Sequence, residues 1–180
     1  IDAIRATTAA GSGHPTSCMS SAHIIATLFF HELSFDLADP LSDNNDRFII
    51  SKGHAVPILY AAYKQLGVLS SEELLTLRQS SSYLEGHPTP RFVYNETATG
   101  SLGQGLAVGV GMALAARLDQ KEYRTVILLG DGEIAEGSVW EAASMASAQK
   151  LSNLIAIVDV NRLGQSGTSL LGHEFEMYKE

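Results

Sequence analysis

Two short segments place hard metal ligands directly after apolar runs. Gly130-Asp131-Gly132 follows Thr125-Val126-Ile127-Leu128-Leu129, and Asp159-Val160-Asn161 closes a second apolar run that starts at Asn153. The carboxylate of Asp131 and the amide oxygen of Asn161 suit Mg²⁺ or Ca²⁺. Two side chains are few for such an ion, and Mg²⁺ ordinarily completes its shell with phosphate oxygens and water. Gly132 has no side chain and opens a helix, so a phosphate can approach backbone amides there. Gly-Asp-Gly alone also fits a plain strand-to-helix turn. The Asn at the end of the next run is what favours a ligand site.

Four of the six histidines follow a glycine; leaving aside His173 near the end of the sequence, these are Gly13-His14-Pro15, Gly53-His54-Ala55 and Gly86-His87-Pro88. A turn histidine can offer its ring to a ligand as donor, acceptor or cation. Any one of them could equally be a surface or capping residue, but three in the same context predict a shared pocket. His23 and His31 fall within one helical run, where a structural role is the better expectation. Gly100-Ser101-Leu102-Gly103-Gln104-Gly105 precedes a helix; it suits either close backbone approach to a ligand or tight helix packing. Glu136 and Glu141 sit near the Gly-Asp-Gly turn and read, on their own, as exposed helix glutamates.

The elements that must position these residues follow from the hydrophobic pattern. Residues 1–8 read as a helix ended by Gly11 and Gly13, and residues 18–33 as a second helix, apolar over most of its surface and therefore buried. Phe48-Ile49-Ile50 is a candidate buried strand, followed by a helix over 55–66. Ser70 with Glu73 forms a capping box that opens a helix to about residue 79. Residues 80–99 are a long connection of the kind that often carries function. A helix over 103–118 is expected despite Gly105, Gly109 and Gly111, with close packing as the reason for the glycines. Strand 125–129, helix 137–149 and buried strand 153–160 make a βαβ crossover, so these strands are parallel. The expected fold is α/β: a doubly wound parallel sheet with helices on both faces, binding ligands outside the carboxyl ends of its strands.

Composition narrows the partners. The 180 residues are 45% hydrophobic and 18% charged, which suits one globular domain and excludes disorder. The net charge of -8 argues against nucleic acid and anionic membrane surfaces. The longest strongly apolar stretch, residues 22–30, contains His23 and is too short to span a bilayer. A single cysteine, Cys18, fits a reducing compartment, and a cytoplasmic location is the expectation.

Taken together, the motifs resemble those of the transketolases. Gly11-Ser12-Gly13-His14-Pro15-Thr16-Ser17, Asp46-Arg47-Phe48 with Ser51-Lys52-Gly53-His54-Ala55, Gly86-His87-Pro88, Thr99-Gly100-Ser101-Leu102-Gly103-Gln104-Gly105 and Gly130-Asp131-Gly132-Glu133 occur in that family's order. Asn161-Arg162-Leu163-Gly164-Gln165-Ser166 resembles the animal-type branch. The resemblance spans essentially the whole chain. It implies thiamine-diphosphate-dependent transfer of a two-carbon ketol unit from a ketose phosphate to an aldose phosphate, in the pentose phosphate pathway, with the cofactor as electron sink. It implies that His14 and His87 lie beside the reacting centre and His54 near the diphosphate. Ser17, Lys52, Gly100, Ser101, Leu102, Gly132 and Asn161 match cofactor-pocket positions, with Gln165 a weaker match. Asp131, Asn161 and the backbone carbonyl of Leu163 match the ligands of Mg²⁺ (or Ca²⁺). Glu136 and Glu141 match acids of a subunit-interface network.

The resemblance also implies a site shared between two chains of a homodimer, completed by a second α/β domain. Ile1 falls inside a predicted helix and no closing element follows residue 177, so the expectation is a partial diphosphate-binding domain over residues 1–180, inactive alone. Two alternatives stand beside it. One is a 1-deoxyxylulose-5-phosphate synthase-like enzyme, which shares Gly-Asp-Gly; the Gly-His-Pro turns favour transketolase. The other is the N-terminal half of a split transketolase, working as a cofactor-binding and assembly subunit with a C-terminal partner chain.

Overall fold

Alternation along two apolar runs sets the architecture of the computed structural model, which describes residues 1–164 and 166–178. Strands β1 (Arg47–Ile50), β2 (Thr125–Gly130) and β3 (Leu154–Asp159) form a parallel sheet in the order β1-β2-β3. Successive side chains on a strand face opposite ways. Phe48, Ile50, Val126 and Leu128 accordingly join one core, and Ile49, Ile127 and Leu129 join the other.

The first core is closed by α1 (Asp2–Ala9), the helical run α2 (Pro15–Ser20) and α3 (Ala22–Thr27), and α4 (Val56–Gln65). An aromatic cluster of Phe29, Tyr63, Phe92 and Tyr94, with ring centroids 4.9–5.3 Å apart, anchors the long connection to α4. Between that connection and α4 lies α5 (Ser71–Leu74). The second core lies under α6 (Gly105–Leu118) and α7 (Gly137–Ala148). Gly109 rests directly on β2: a Cβ there would stand 2.6 Å from Ile127 Cδ1. Gly109 and Gly105, the latter against Ser51, thus serve close packing, whereas Gly111 is exposed with nothing within 4 Å of its Cβ position; the sheet carries helices on both faces as expected.

Three boundaries differ from the sequence reading. Residues 18–33 are not one helix: α2 and α3 meet at a turn on Ser21, and residues Leu28–Glu32 continue as a π-helix. The hydroxyl oxygens of Ser20 and Ser21 each lie 3.0 Å from the Ser17 carbonyl oxygen at this break. Only one stripe of this run is buried; Met19 and Phe30 are exposed. The capping box at Ser70 forms in full, but α5 is a single turn rather than a helix to 79. Strand β3 pairs with β2 alone among the described residues, and Ile155 and Ala156 are exposed rather than buried. No helix among the described residues is long and apolar enough to cross a membrane.

Candidate active site

The carboxyl ends of the three strands deliver three of the singled-out segments to one edge of the sheet. Lys52-Gly53-His54 follows β1, Asp131-Gly132 follows β2 and Asn161 follows β3. Gly130 pairs with Asp159, so the residues just beyond them are neighbours.

Asp131 is 2% exposed and reaches into the turn beyond β3. Its Oδ2 accepts hydrogen bonds from the Arg162 amide and the Ser169 hydroxyl, each at 2.7 Å, and its Oδ1 accepts from the Gly132 amide at 3.0 Å. Asn161 Oδ1 accepts from the Leu163 amide at 2.9 Å. A Cβ on Gly132 would stand 3.9 Å from the Leu163 carbonyl oxygen. Asp131, Gly132, Asn161 and Leu163 therefore share one small region. Its donors are a carboxylate, an amide oxygen and a backbone carbonyl, a set that fits a hard divalent cation. No cluster of three or more His, Cys, Asp or Glu side chains with metal-binding geometry exists among the described residues, so a metal here must draw on amide and backbone oxygens.

The three Gly-His turns also converge. The rings of His14 and His54 meet edge to face at 5.1 Å, and Ser17 Oγ lies 3.0 Å from His54 Nε2. Gly100, at φ +132°, lies under the His87 ring: a Cβ there would stand 2.5 Å from its Cδ2. Gly53 packs against the backbone of the same loop, where a Cβ would be 2.8 Å from Gly100 N. His14 and His87 are exposed at the rim and His54 is half-buried beneath them. Burial, then the charge of Lys52, then His14 and His87, push the His54 imidazole down to about 4. Burial followed by Arg78 and His14 lowers His87. Near neutral pH the buried ring is therefore a neutral donor or acceptor rather than a cation. Ser101 and Leu102 lie exposed on the loop above. Gln165 lies outside the described residues.

Lys52 does not extend into open space. It is buried, and its Nζ donates to Asp159 Oδ2 at 2.7 Å. The hydroxyls of Ser20 and Ser21 donate to the same oxygen at 2.7 and 2.9 Å. Burial pushes the Asp159 carboxyl up, but Lys52 and the serines outweigh it and the net direction is down. Asp159 and the serines carried no role in the sequence reading. The available signal was a lysine directly after a buried strand, which needs a counter-charge. Glu133 was also missed. It is buried and accepts from Ser51 Oγ, Gly103 N and Gly130 N. Glu136 is the N-cap residue of α7, with its Cβ 2.7 Å from where a Gly103 Cβ would stand, and both Glu136 and Glu141 are exposed. An open groove of about 490 Å³ between α6, α7 and β3 is lined by none of these residues.

Comparison with known proteins points the same way as the motifs. The family described as "Transketolase, thiamine diphosphate binding domain" matches residues 1–174. The chain is 55% identical to the transketolase of Homo sapiens over 181 residues, covering 100% of this chain and 29% of that protein. It is 44% identical over 160 residues to one subunit of the apulose-4-phosphate transketolase of Phocaeicola vulgatus, covering 89% of this chain and 57% of that one. The solved transketolase of Leishmania mexicana superposes with a TM-score of 0.89 at 32% identity, over 98% of this chain and 29% of that chain.

Proposed function

This chain belongs to the transketolase family through its thiamine diphosphate binding domain, and from that membership we propose that it forms part of the diphosphate-binding half of a ketol-transferring enzyme. The proposed reaction moves a two-carbon unit from a ketose phosphate to an aldose phosphate. One observation carries the reading: His54, Asp131 and Asn161 leave the carboxyl ends of adjacent parallel strands, with His14 and His87 gathered over the same edge. Thiamine diphosphate, when bound, supplies the electron sink for breaking and making the carbon–carbon bond.

The chain's own residues are assigned as follows. Asp131, Asn161 and the Leu163 carbonyl hold Mg²⁺, which offsets the diphosphate charge in an acidic chain. The Gly132 backbone admits the diphosphate at close range, and Gly100, Ser101 and Leu102 line the cofactor above it. Ser17 orients His54, which stays neutral and donates or accepts one hydrogen bond at the cofactor. His14 and His87, at the rim, hold or move protons on the sugar hydroxyl and carbonyl oxygens. Lys52 acts from behind, by fixing the end of β3 through Asp159. Glu136 and Glu141 serve the contact between the two chains of a homodimer. A cytoplasmic setting in the pentose phosphate pathway completes the proposal.

The chain spans 29% of the length of the human relative, so the test uses the complete protein. Ketol transfer from a ketose phosphate, dependent on both thiamine diphosphate and Mg²⁺, is the expected result. Cofactor binding without transfer to any aldose phosphate would overturn the assignment. A second arrangement, one half of a two-chain enzyme, is favoured by the likeness to a relative whose name makes it one of several subunits. Sequencing the gene past Glu180 decides between them.

A further inference from the structure

We infer that Glu133 is a positioning residue for the cofactor site: its buried carboxylate clamps three separate cofactor-facing segments into one cradle. The inference rests on the reading of the site as a thiamine diphosphate site. Glu133 is 2% exposed. Its Oε1 accepts from the Ser51 hydroxyl and, at 2.9 Å, from the Gly103 amide; its Oε2 accepts from the Gly130 amide at 3.0 Å. Each donor is next in sequence to a residue assigned above. Ser51 precedes Lys52, Gly103 follows Leu102, and Gly130 precedes Asp131.

The chemistry requires a carboxylate. An ionised carboxylate only accepts, on two oxygens with about four lone-pair sites. Three donors converging from three chain segments match that capacity. A glutamine of the same shape cannot. With its NH₂ in place of Oε2 it faces the Gly130 N–H, and turned over it faces the Gly103 N–H; one buried amide is unsatisfied either way.

The surroundings leave the clamp little freedom. Gly103 sits at φ +85°, its carbonyl accepts from Ser138 Oγ at 2.9 Å, and a Cβ on it would stand 2.7 Å from Glu136 Cβ. Gly105 leaves no room for a Cβ beside Ser51. The loop over the cofactor is therefore held from α7 on one side and by Glu133 on the other. By accepting from both the Gly103 and the Gly130 amides, Glu133 ties the Gly100–Gly105 loop to the Gly-Asp-Gly turn.

The test compares the full-length wild-type protein with Glu133→Gln and Ser51→Ala. Hydrogen exchange in the cofactor-free protein reads the clamp directly, on peptides covering residues 99–106. Glu133→Gln should speed exchange there and raise the thiamine diphosphate Kd at saturating Mg²⁺ by roughly tenfold to a hundredfold. At saturating cofactor, kcat should stay within about twofold, because Glu133 touches no reacting atom. Ser51→Ala removes one donor and fits the same space, so it should shift both readouts in the same direction by a few-fold. A lowered melting temperature with unchanged loop exchange and unchanged Kd would mean a structural role only, and overturns the inference. If Glu133→Gln does not fold, Ser51→Ala decides alone, and an unchanged Kd there overturns it. Wild-type protein that binds no thiamine diphosphate would instead refute the functional reading itself.

Discussion

Lys52 Nζ and Asp159 Oδ2 lie 2.7 Å apart, with side chains 1% and 7% exposed, and join the ends of the two outer strands of the sheet. The pair bridges across β2 without touching it in sequence, which makes it a long-range tie between the His54 turn and the Asn161 turn. Removing one partner strands a buried charge, a loss of about 3–5 kcal/mol in comparable pairs. Asp159→Ala in the complete protein should therefore lower stability by that order. Replacing both groups with apolar residues, Lys52→Met with Asp159→Leu, should recover much of it. Denaturant melts of the two variants check this. Equal losses in both would show that the ion pair is not what holds the ends together.

The depressed His54 imidazole gives a pH dependence of known sign. Its ordinary value is 6.5 and its folded value about 4. Between those values the unfolded chain binds a proton that the folded chain does not, so stability is lost as pH falls through that window and is fully present above it. The loss should reach roughly 2 kcal/mol near its acid end, allowing for solvent around the half-buried ring. His54→Gln should flatten the slope of melting temperature against pH between about 7 and about 4.5, the span over which the two states differ in bound protons. An unchanged slope in that variant would refute the attribution.

Much of this arrangement was legible because short apolar runs are bounded by turn residues. The continuous apolar runs 48–50 and 125–129 marked buried strands, and the spacing of 125–160 marked the βαβ crossover and hence the adjacency of Asp131 and Asn161. What was not legible depends on tertiary contact. A capping box reports where a helix starts and not how far it runs: α5 ends after one turn, and Arg78 just beyond adopts φ +64°. Apolar content predicted a buried β3, but burial depends on a covering layer, and Ile155 and Ala156 have none among the described residues. Asp159, Glu133, Ser20 and Ser21 carry no local signature. The bonds of Ser20 and Ser21 to Asp159, and of Ser51 to Glu133, join residues more than 80 positions apart.

Cofactor binding by the complete protein should depend on a divalent ion through Asp131. Asp131→Ala removes the one charged oxygen of the proposed metal set and also frees the Arg162 amide and the Ser169 hydroxyl. Thiamine diphosphate affinity should fall by about 3–5 kcal/mol, on the scale of losing one partner of a buried charged contact. Calorimetry with and without Mg²⁺ measures it. Affinity indifferent both to Mg²⁺ and to the substitution would remove the metal from this site.

His14 and His87 are expected to act on the sugar rather than to hold the cofactor. Both are exposed at the rim, while His54, Gly53 and Gly100 form the layer beneath. His14→Ala or His87→Ala should lower kcat by ~10²–10⁴-fold, the usual contribution of a general acid–base group, with cofactor affinity largely kept. Steady-state kinetics with a ketose phosphate donor and parallel melting curves separate the outcomes. Equal loss of stability and cofactor binding would make the two rings structural.

The layer beneath offers a test of geometry that involves no titratable group. Gly53 is buried, and a Cβ on it would meet Thr99 C and Gly100 N at 2.8 Å each. Those are backbone atoms, so the neighbour cannot swing aside as a side-chain tip would. Gly53→Ala must push the Thr99–Gly100 segment outward, at a cost of about 1–3 kcal/mol for overpacking. Thr99 Oγ1 donates to the Ile50 carbonyl at 2.7 Å, so the displacement pulls on the end of β1 as well. His87 rides on Gly100 and should move with it. The variant should therefore lose kcat as well as stability, whereas Gly111→Ala, with nothing within 4 Å of its Cβ and placed on the exposed side of α6, should lose neither. Melting curves and kinetics on both variants decide it. A Gly53→Ala protein with wild-type kcat would show that the spacing between the His54 turn and the Gly100 loop is not what sets the catalytic geometry.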